Sequence, residues 1–471
     1  MAHDMIVIGG GAAGLVTSAG AAGLGARVAL IERDQLGGEC LWTGCVPSKA
    51  LIACARAAHE ARTASRFGIA TGPVTVNFAE VMAWVRDAQR RIAPNDSPER
   101  FRSLGVDVVA GTARFTGERT LQVDGKEMRA KRIVVATGSR PAVPPIEGLA
   151  DVPYLTNETI FTLERQPSAL LVLGAGPIGV ELAQAFARLG TQVRVLEAAP
   201  AFLPREDHEL AGLLLERLCA EGVDIVLDAK VRRASRQEGV IRLDASRSDG
   251  SALIADGDAL LLATGRSANV GLLDANRAGI ATGPDGIVTN DRLRTTADGV
   301  WAAGDVTGGL RFTHVADYEA RLVLRNAFFP YSSGADYSAV PWVTFTDPEL
   351  AHVGLTELEA RDRLGDGMRV WRKAFGESDR AIADGHASGL VKLIADRRGR
   401  LVGGHVLGHG AGSVIGEIAV ALKHRVSVSR LGSTIHAYPT YPEAIRQAAE
   451  GHVKSRFRGP IRTVTRWLVR R

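Results

Sequence analysis

The 471-residue sequence predicts an α/β chain built around two Rossmann-like dinucleotide-binding modules. The first observation is "MIVIGGGAAGL" near the N-terminus, an apolar run that breaks into glycines and then into small helix-forming residues. The second is its return as "LLVLGAGPIGVEL" from Leu170. The third is a pair of matching later segments, "IVVATGSRP" at 133–141 and "LLLATGRSAN" at 260–269. Together they read as an internal duplication, one copy per nucleotide.

In the first module Gly9, Gly11 and Gly14, with Ala13 between them, form G-x-G-x-x-G between a strand and a helix. Glycines there permit the tight turn, close approach of a pyrophosphate and helix-to-sheet packing. The helix N-terminus offers unpaired N–H groups and a positive dipole end. Glu32 closes the next strand, placed to accept from a ribose hydroxyl. The second module repeats this with Gly174, Gly176, Gly179 and Glu197. A carboxylate at Glu197 suits a free 2′-hydroxyl and repels a 2′-phosphate, which favours NAD over NADP. Arg194 on the same strand is the competing signal. Two dinucleotides in one chain imply electron transfer between them.

"GECLWTGCVPSK" follows the first module and carries two of the four cysteines, Cys40 and Cys45. A disulfide requires the segment to bend, and Gly44 is placed to supply the bend. A helix starting near Pro47 would direct its positive end toward Cys45, and Lys49 would strengthen the same field. The pair therefore reads as redox-active. Zinc is not expected, because no second Cys or His pair stands at finger spacing. Cys54 and Cys219 fall in helical apolar runs and read as structural.

These motifs, with "GAGPIGVE", "WAAGDV", "FTHVADYEA" and "VTFTDPELAHVGLTE" in order, resemble the class I pyridine nucleotide-disulfide oxidoreductases. Mercuric reductases and dihydrolipoamide dehydrogenases are members. The resemblance spans essentially the whole chain and implies FAD in the first module and NAD(H) in the second. It implies FAD-binding segments at 1–148 and 268–335, an NAD(P) domain at 149–267 entered through "RPAVPPIEG", and an α+β dimerisation domain at 336–471. It makes Cys45 the charge-transfer thiolate and Cys40 the interchange thiol. It sets Lys49 near flavin N5, with Glu181 as its ion-pair partner. Asp305 would bind the ribityl chain, Thr137, Gly138, His314 and Ala316 would line FAD, and Gly265 would contact NAD.

The family's dithiol-oxidising members place a histidine before a proline, with a glutamate five positions beyond. Here "HAYPTYPEAI" has Tyr438 before Pro439 and keeps Glu443. Tyrosine, with an ordinary pKa near 10, donates hydrogen bonds but is a poor base. Either Tyr438 orients a ligand, as in mercuric reductases, or His436 moves in as the base. Glu39 stands beside Cys40 where the family has a small hydroxyl residue, and opposes thiolate formation unless paired. Trp42 either narrows the substrate cleft or packs in the core.

The expected function is an FAD-dependent NADH oxidoreductase passing electrons through Cys40–Cys45 to a thiol, disulfide or metal–thiol acceptor. The alternatives are a dihydrolipoamide dehydrogenase running toward NAD and a redox-sensing, partner-docking flavoprotein. A homodimer is expected. The net charge of +5 is mild and gives no nucleic-acid surface. No signal peptide and no apolar run long enough for a membrane span is read, and few cysteines suggest the cytoplasm. The final "IRTVTRWLVRR" sets Ile461, Val464 and Leu468 on one helical face and Arg462, Arg466 and Arg470 on another. Such a tail would meet an anionic membrane surface, a partner, or its own dimer.

Overall fold

The computed structural model describes residues 3–456 and Val469. The basic tail read after Pro460 therefore lies outside the described residues, Val469 excepted. The described residues form two compact units, one of residues 3–174, 188–194 and 231–336, the other of 175–187, 195–230 and 337–456.

The first unit is organised by a parallel sheet. Its central strand β1, His3–Ile8, is flanked by β2, Val28–Glu32, and by the strand Lys126–Val135. Met5 aligns with Val28 on one side and Arg132 on the other. Val106–Ala110 extends the sheet beyond β2, and Val300–Ala302 pairs with Lys126–Val135. Met5, Ile6 and Val7 are buried, as a strand covered on both faces requires. Helix α1, Ala12–Gly23, packs on helix Thr313–Phe328 through small residues. A Cβ on Gly304 would sit 3.3 Å from Ala316 and 3.5 Å from Ala13, so the packing is close. After β2 the chain forms a short helix α2, Gly38–Trp42, then a long one, α3, Cys45–Thr63. Next comes α4, Phe78–Ile92, whose cap Asn77 accepts from the Glu80 N–H.

The second module repeats the scheme with four strands in the order Asp224–Val226, Gln192–Leu196, Ala169–Leu173, Ala259–Leu262. The last two run parallel, with Leu171 opposite Leu260.

The second unit also holds a five-stranded antiparallel sheet, ordered Pro341–Thr344, Glu349–Gly354, Leu401–Gly408, Leu390–Ala395, Arg369–Ala374. Helices Ala411–Lys423, Val428–Ser433 and Glu443–Arg456 follow it, and Ile415, Ile418, Leu431 and Ile445 enter its core. Lys392, in a strand buried at every position, is only 1% exposed. Its ammonium meets Asp207 at 2.6 Å, Glu209 at 2.6 Å and Glu357 at 2.9 Å. His405 is equally buried, and burial, with His352 beside it, pushes its imidazole down to about 3. Among the described residues no helix is long and apolar enough to cross a membrane.

Lys392→Met leaves Asp207 buried without its cation, and loss of about 3–5 kcal/mol is expected in chemical unfolding. His405 is held below its ordinary value in the fold, so its contribution is complete above pH 6.5 and is lost as pH falls toward 3. Unfolding followed by pH should show this as a decline of up to about 1.4 kcal/mol per pH unit.

Candidate active site

Close approach of backbone shapes both glycine turns. A Cβ on Gly9 would lie 2.3 Å from the Ala136 carbonyl oxygen, and one on Gly174 would lie 2.5 Å from that of Ala263. Both glycines have left-handed φ, +107° and +100°. The two ATG segments thus close on the two turns in the same way. A Cβ on Gly14 would lie 1.8 Å from the Gly9 oxygen, so helix α1 sits hard against the turn. Over Gly11 the nearest atom to such a Cβ is 4.0 Å away, and at Gly176 nothing lies within 4 Å. Backbone is crowded where it packs and open where a pyrophosphate would approach. Helix α1 begins without an acidic residue or a capping side chain in its first turn. Helix Pro177–Leu189, which carries buried Gly179, likewise has no acid there. Both arrangements fit a dinucleotide phosphate.

The acids ending the second strands are held alike. Glu32 accepts from the Gly10 N–H at 2.5 Å and from the Asp34 N–H at 2.8 Å. Glu197 accepts from the Ala175 N–H at 2.7 Å and from the Ala199 N–H at 2.8 Å. Each carboxylate is fixed by backbone at both oxygens and keeps lone pairs for a ribose hydroxyl. Thr137 donates to the Asn269 carbonyl at 2.8 Å, and the Asn269 N–H donates to Gly138 at 2.9 Å. Gly265 has φ +114° with open space around it.

The cysteine pair spans two helices. Cys40 lies in α2 and Cys45 is the first residue of the 19-residue α3, two positions before the start expected at Pro47. Cys45 itself therefore stands in the first turn of α3. Gly44 supplies the bend, with a Cβ position only 3.0 Å from the Glu39 oxygen. The two side chains stand as thiols, not joined by a disulfide. The Cys45 sulfur lies 3.3 Å from the Thr313 hydroxyl. A hydrogen bond to Cys45 and burial push the Cys40 thiol well up. Cys54 is half-buried and its thiol is also pushed up by burial, whereas Cys219 is exposed. Lys49, one turn beyond Cys45, donates to Ser48 Oγ at 3.3 Å. The end of α2 is tied down by Gln89 of α4, which donates to the carbonyls of Trp42 at 2.7 Å and Leu41 at 3.3 Å. The Trp42 indole donates to the Leu36 carbonyl at 2.8 Å.

Glu39 is paired. One oxygen meets the Arg266 guanidinium and the other accepts from Asn157 Nδ2 at 2.8 Å. Arg266 donates in turn to Ser139 Oγ at 2.7 Å, and Ser139 donates to Asp305 at 2.5 Å. A continuous polar chain thus runs from the residue beside Cys40 to Asp305. Burial pushes the Glu39 carboxyl up to about 7 against the pull of Arg266, with Asp305, Cys45 and Glu158 adding to the rise. Thr313, Ser139 and Arg266 sit inside motifs already conspicuous in the sequence; Asn157 and Gln89 carry no such signal.

The first unit thus gathers Gly9, Gly11, Ala13, Gly14, Glu32, Cys40, Cys45, Lys49, Thr137, Gly138, Gly174, Gly265, Asp305, His314 and Ala316. His314 stacks on Phe312 at 5.3 Å. Gly176, Gly179, Glu181, Glu197, His436, Tyr438 and Glu443 belong to the second unit. There Glu181 accepts from the Phe345 N–H at 2.8 Å. His436 has both ring nitrogens engaged, by the Thr434 carbonyl at 3.0 Å and by Glu417 at 2.9 Å. Tyr438 is 68% exposed and donates to Asp379 at 2.8 Å, which pushes its phenol further up. Glu443 pairs with Arg446 at 2.8 Å. Among the described residues no group of three or more His, Cys, Asp or Glu side chains could hold a metal ion.

Residues 3–320 match the pyridine nucleotide-disulphide oxidoreductase family, and residues 340–449 match its dimerisation domain. A mercuric reductase of Streptomyces lividans is 36% identical over 456 residues, covering 95% of this chain and 96% of its own. A dihydrolipoyl dehydrogenase of Thermus scotoductus is 35% identical over 459 residues, covering 95% and 97%. The Cu(II) complex of HOCl-induced flavoprotein disulfide reductase RclA from Escherichia coli is 30% identical, with a TM-score of 0.86 over 96% of this chain and 99% of that one. Two glycine turns of one geometry, a thiol pair at a helix start and matches along nearly the whole length lead to one assignment: the chain belongs to the pyridine nucleotide-disulphide oxidoreductases and is an FAD-containing enzyme of that family.

Proposed function

We propose that this enzyme carries two electrons from NADH through FAD to the Cys40–Cys45 pair, and that Cys40 passes them to a small disulfide. The observation that carries the reading is the setting of Cys45, at the first position of α3 and 3.3 Å from the Thr313 hydroxyl. A helix N-terminus, and a hydroxyl able to donate to the sulfur, both favour a thiolate there. Cys40, on the short helix α2, is then the sulfur left for exchange. FAD, when bound, accepts hydride from the nicotinamide and supplies an electron pair to a disulfide. With it goes the segment assignment of 1–148 and 268–335 to FAD, 149–267 to the pyridine nucleotide and 336–471 to a twofold dimer. The preference for NADH rests on Glu197, fixed in the same manner as Glu32.

Flux runs outward from NADH in this reading. Oxidation of a dihydrolipoyl group needs a base, and His436 already has both nitrogens engaged while Tyr438 is a donor held by Asp379. Tyr438 is assigned to orient the acceptor while its hydroxyl stays anchored on Asp379, and Glu443 to support the segment that carries it. A thiol-complexed metal ion is the competing acceptor, suggested by the mercuric reductases among the relatives. Four cysteines in 471 residues suit a reducing compartment, and we assign the enzyme to the cytosol.

Gly14→Ala forces a methyl group into the Gly9 carbonyl, and the purified variant should lack the visible absorption of bound FAD. With the native enzyme, kcat/KM for NADH should exceed that for NADPH about ten-fold, a preference of about 1.4 kcal/mol. Lipoamide or an aromatic disulfide should support NADH oxidation, and a mercuric thiol complex tested alone decides against the disulfide reading if it is the sole acceptor. Cys45→Ser should lower disulfide turnover by about a thousand-fold or more, while stopped-flow reduction of the flavin by NADH persists. Tyr438→Phe should slow disulfide turnover about five-fold without altering that reductive step.

A further inference from the structure

Reducing a disulfide acceptor to two thiols consumes two protons, and the reduced Cys40–Cys45 pair holds one, on Cys40. Among the described residues of the C-terminal segment, His436 has both ring nitrogens engaged and the Tyr438 hydroxyl donates to Asp379. The first unit contains a carboxylate at the pair itself. Glu39 immediately precedes Cys40, and its Cγ lies 3.4 Å from the position a Cβ would take on Gly44, the residue before Cys45. Asn157 holds it from one side, also donating to the Thr43 carbonyl at 3.2 Å, and Arg266 holds it from the other. The charged and titratable groups facing it are Arg266, Asp305, Glu158 and Cys45, one cation against three groups that carry or gain negative charge. Asp96 adds a further acid toward Cys40.

Resting on the reductase reading above, we propose that Glu39 takes up a solvent proton when the Cys40–Cys45 disulfide is reduced and gives it up when the pair is reoxidised. The exchange balances. Hydride from NADH opens the disulfide to the Cys40 thiol and the Cys45 thiolate, leaving NAD⁺, while one solvent proton converts the Glu39 carboxylate to the acid. A disulfide RSSR then receives two electrons from the sulfurs and two protons, one from Cys40 and one from Glu39. Two RSH leave, the Cys40–Cys45 bond closes and Glu39 is a carboxylate again. Linkage makes the coupling reciprocal: a thiolate on Cys45 raises the proton affinity of Glu39, and a protonated Glu39 favours the thiolate. A carboxyl near 7 in the dithiol state is matched to that exchange at neutral pH. The sign follows from its raised value. Below the ordinary carboxylate range Glu39 is protonated in both states, and well above 7 in neither, so uptake peaks between.

The test is anaerobic reduction of the FAD-loaded full-length enzyme by one equivalent of NADH in weak buffer with a pH indicator, from pH 5 to 9. Because hydride brings the proton of the Cys40 thiol, protons lost from solution report the carboxyl. Uptake of up to about half a proton per disulfide is expected near pH 7, falling toward zero at both ends. Glu39→Gln, which keeps the shape and removes the acid, should abolish the uptake and lower turnover with lipoamide by about ten-fold at pH 7. Glu39→Asp should restore part of both. Opening of the disulfide without proton uptake in the native enzyme overturns the proposal without recourse to any variant, and so does equal uptake by Glu39→Gln. Failure of NADH to release new thiols, counted by alkylation, overturns instead the reductase reading on which the proposal rests.

Discussion

The approach of helix α1 to its own turn governs what the rest of the first unit can be. With a Cβ on Gly14 only 1.8 Å from the Gly9 oxygen, no side chain of any kind fits there. That contact brings the helix start over the ends of β1 and β2, where the N–H groups of its first turn converge. The chain after β2 is tied to the same turn, for the Gly37 N–H donates to the Gly10 carbonyl at 2.9 Å and a Cβ on Gly38, at the start of α2, would lie 2.6 Å from the Gly11 Cα. The redox pair follows the nucleotide turn because one backbone constraint sets the position of both.

Duplication makes the same constraint visible twice. Gly9 meets Ala136 as Gly174 meets Ala263, and Glu32 is held by two N–H groups as Glu197 is. What differs is the sequel. After Glu32 the chain enters the cysteine helices, and after Glu197 it reaches helix His208–Ala220, whose cap Asp207 belongs to the buried cluster around Lys392. One module serves electron storage at sulfur, whereas its copy leads into a network of fixed charges.

Much of this was legible in the residue order. Glycine spacing, the terminal acids and the ATG segments are local signals, each interpretable within a few residues of chain. The cysteine pair was legible too, although α3 begins at Cys45 and not at Pro47, since Gly44 and Cys45 already take up the turn. The partners of Glu39 were not legible. Asn157 and Arg266 lie 118 and 227 positions away, and no periodicity announces a contact at such range. His436 likewise looked available in sequence, but its engagement by Glu417 and Thr434 depends on how the helix Ala411–Lys423 and the following loop pack.

Gln89 has a bearing on how the cysteine pair changes state. By binding the carbonyls of Leu41 and Trp42, it anchors the C-terminal end of α2, while Asn157 anchors Thr43 next to it. The backbone leading into Gly44 is thereby pinned, and beyond it α3 begins at once. Making and breaking the sulfur–sulfur bond is left to rotation about the Cα–Cβ bonds of Cys40 and Cys45. Rotation about such single bonds moves a side chain between staggered wells without moving the backbone that carries it.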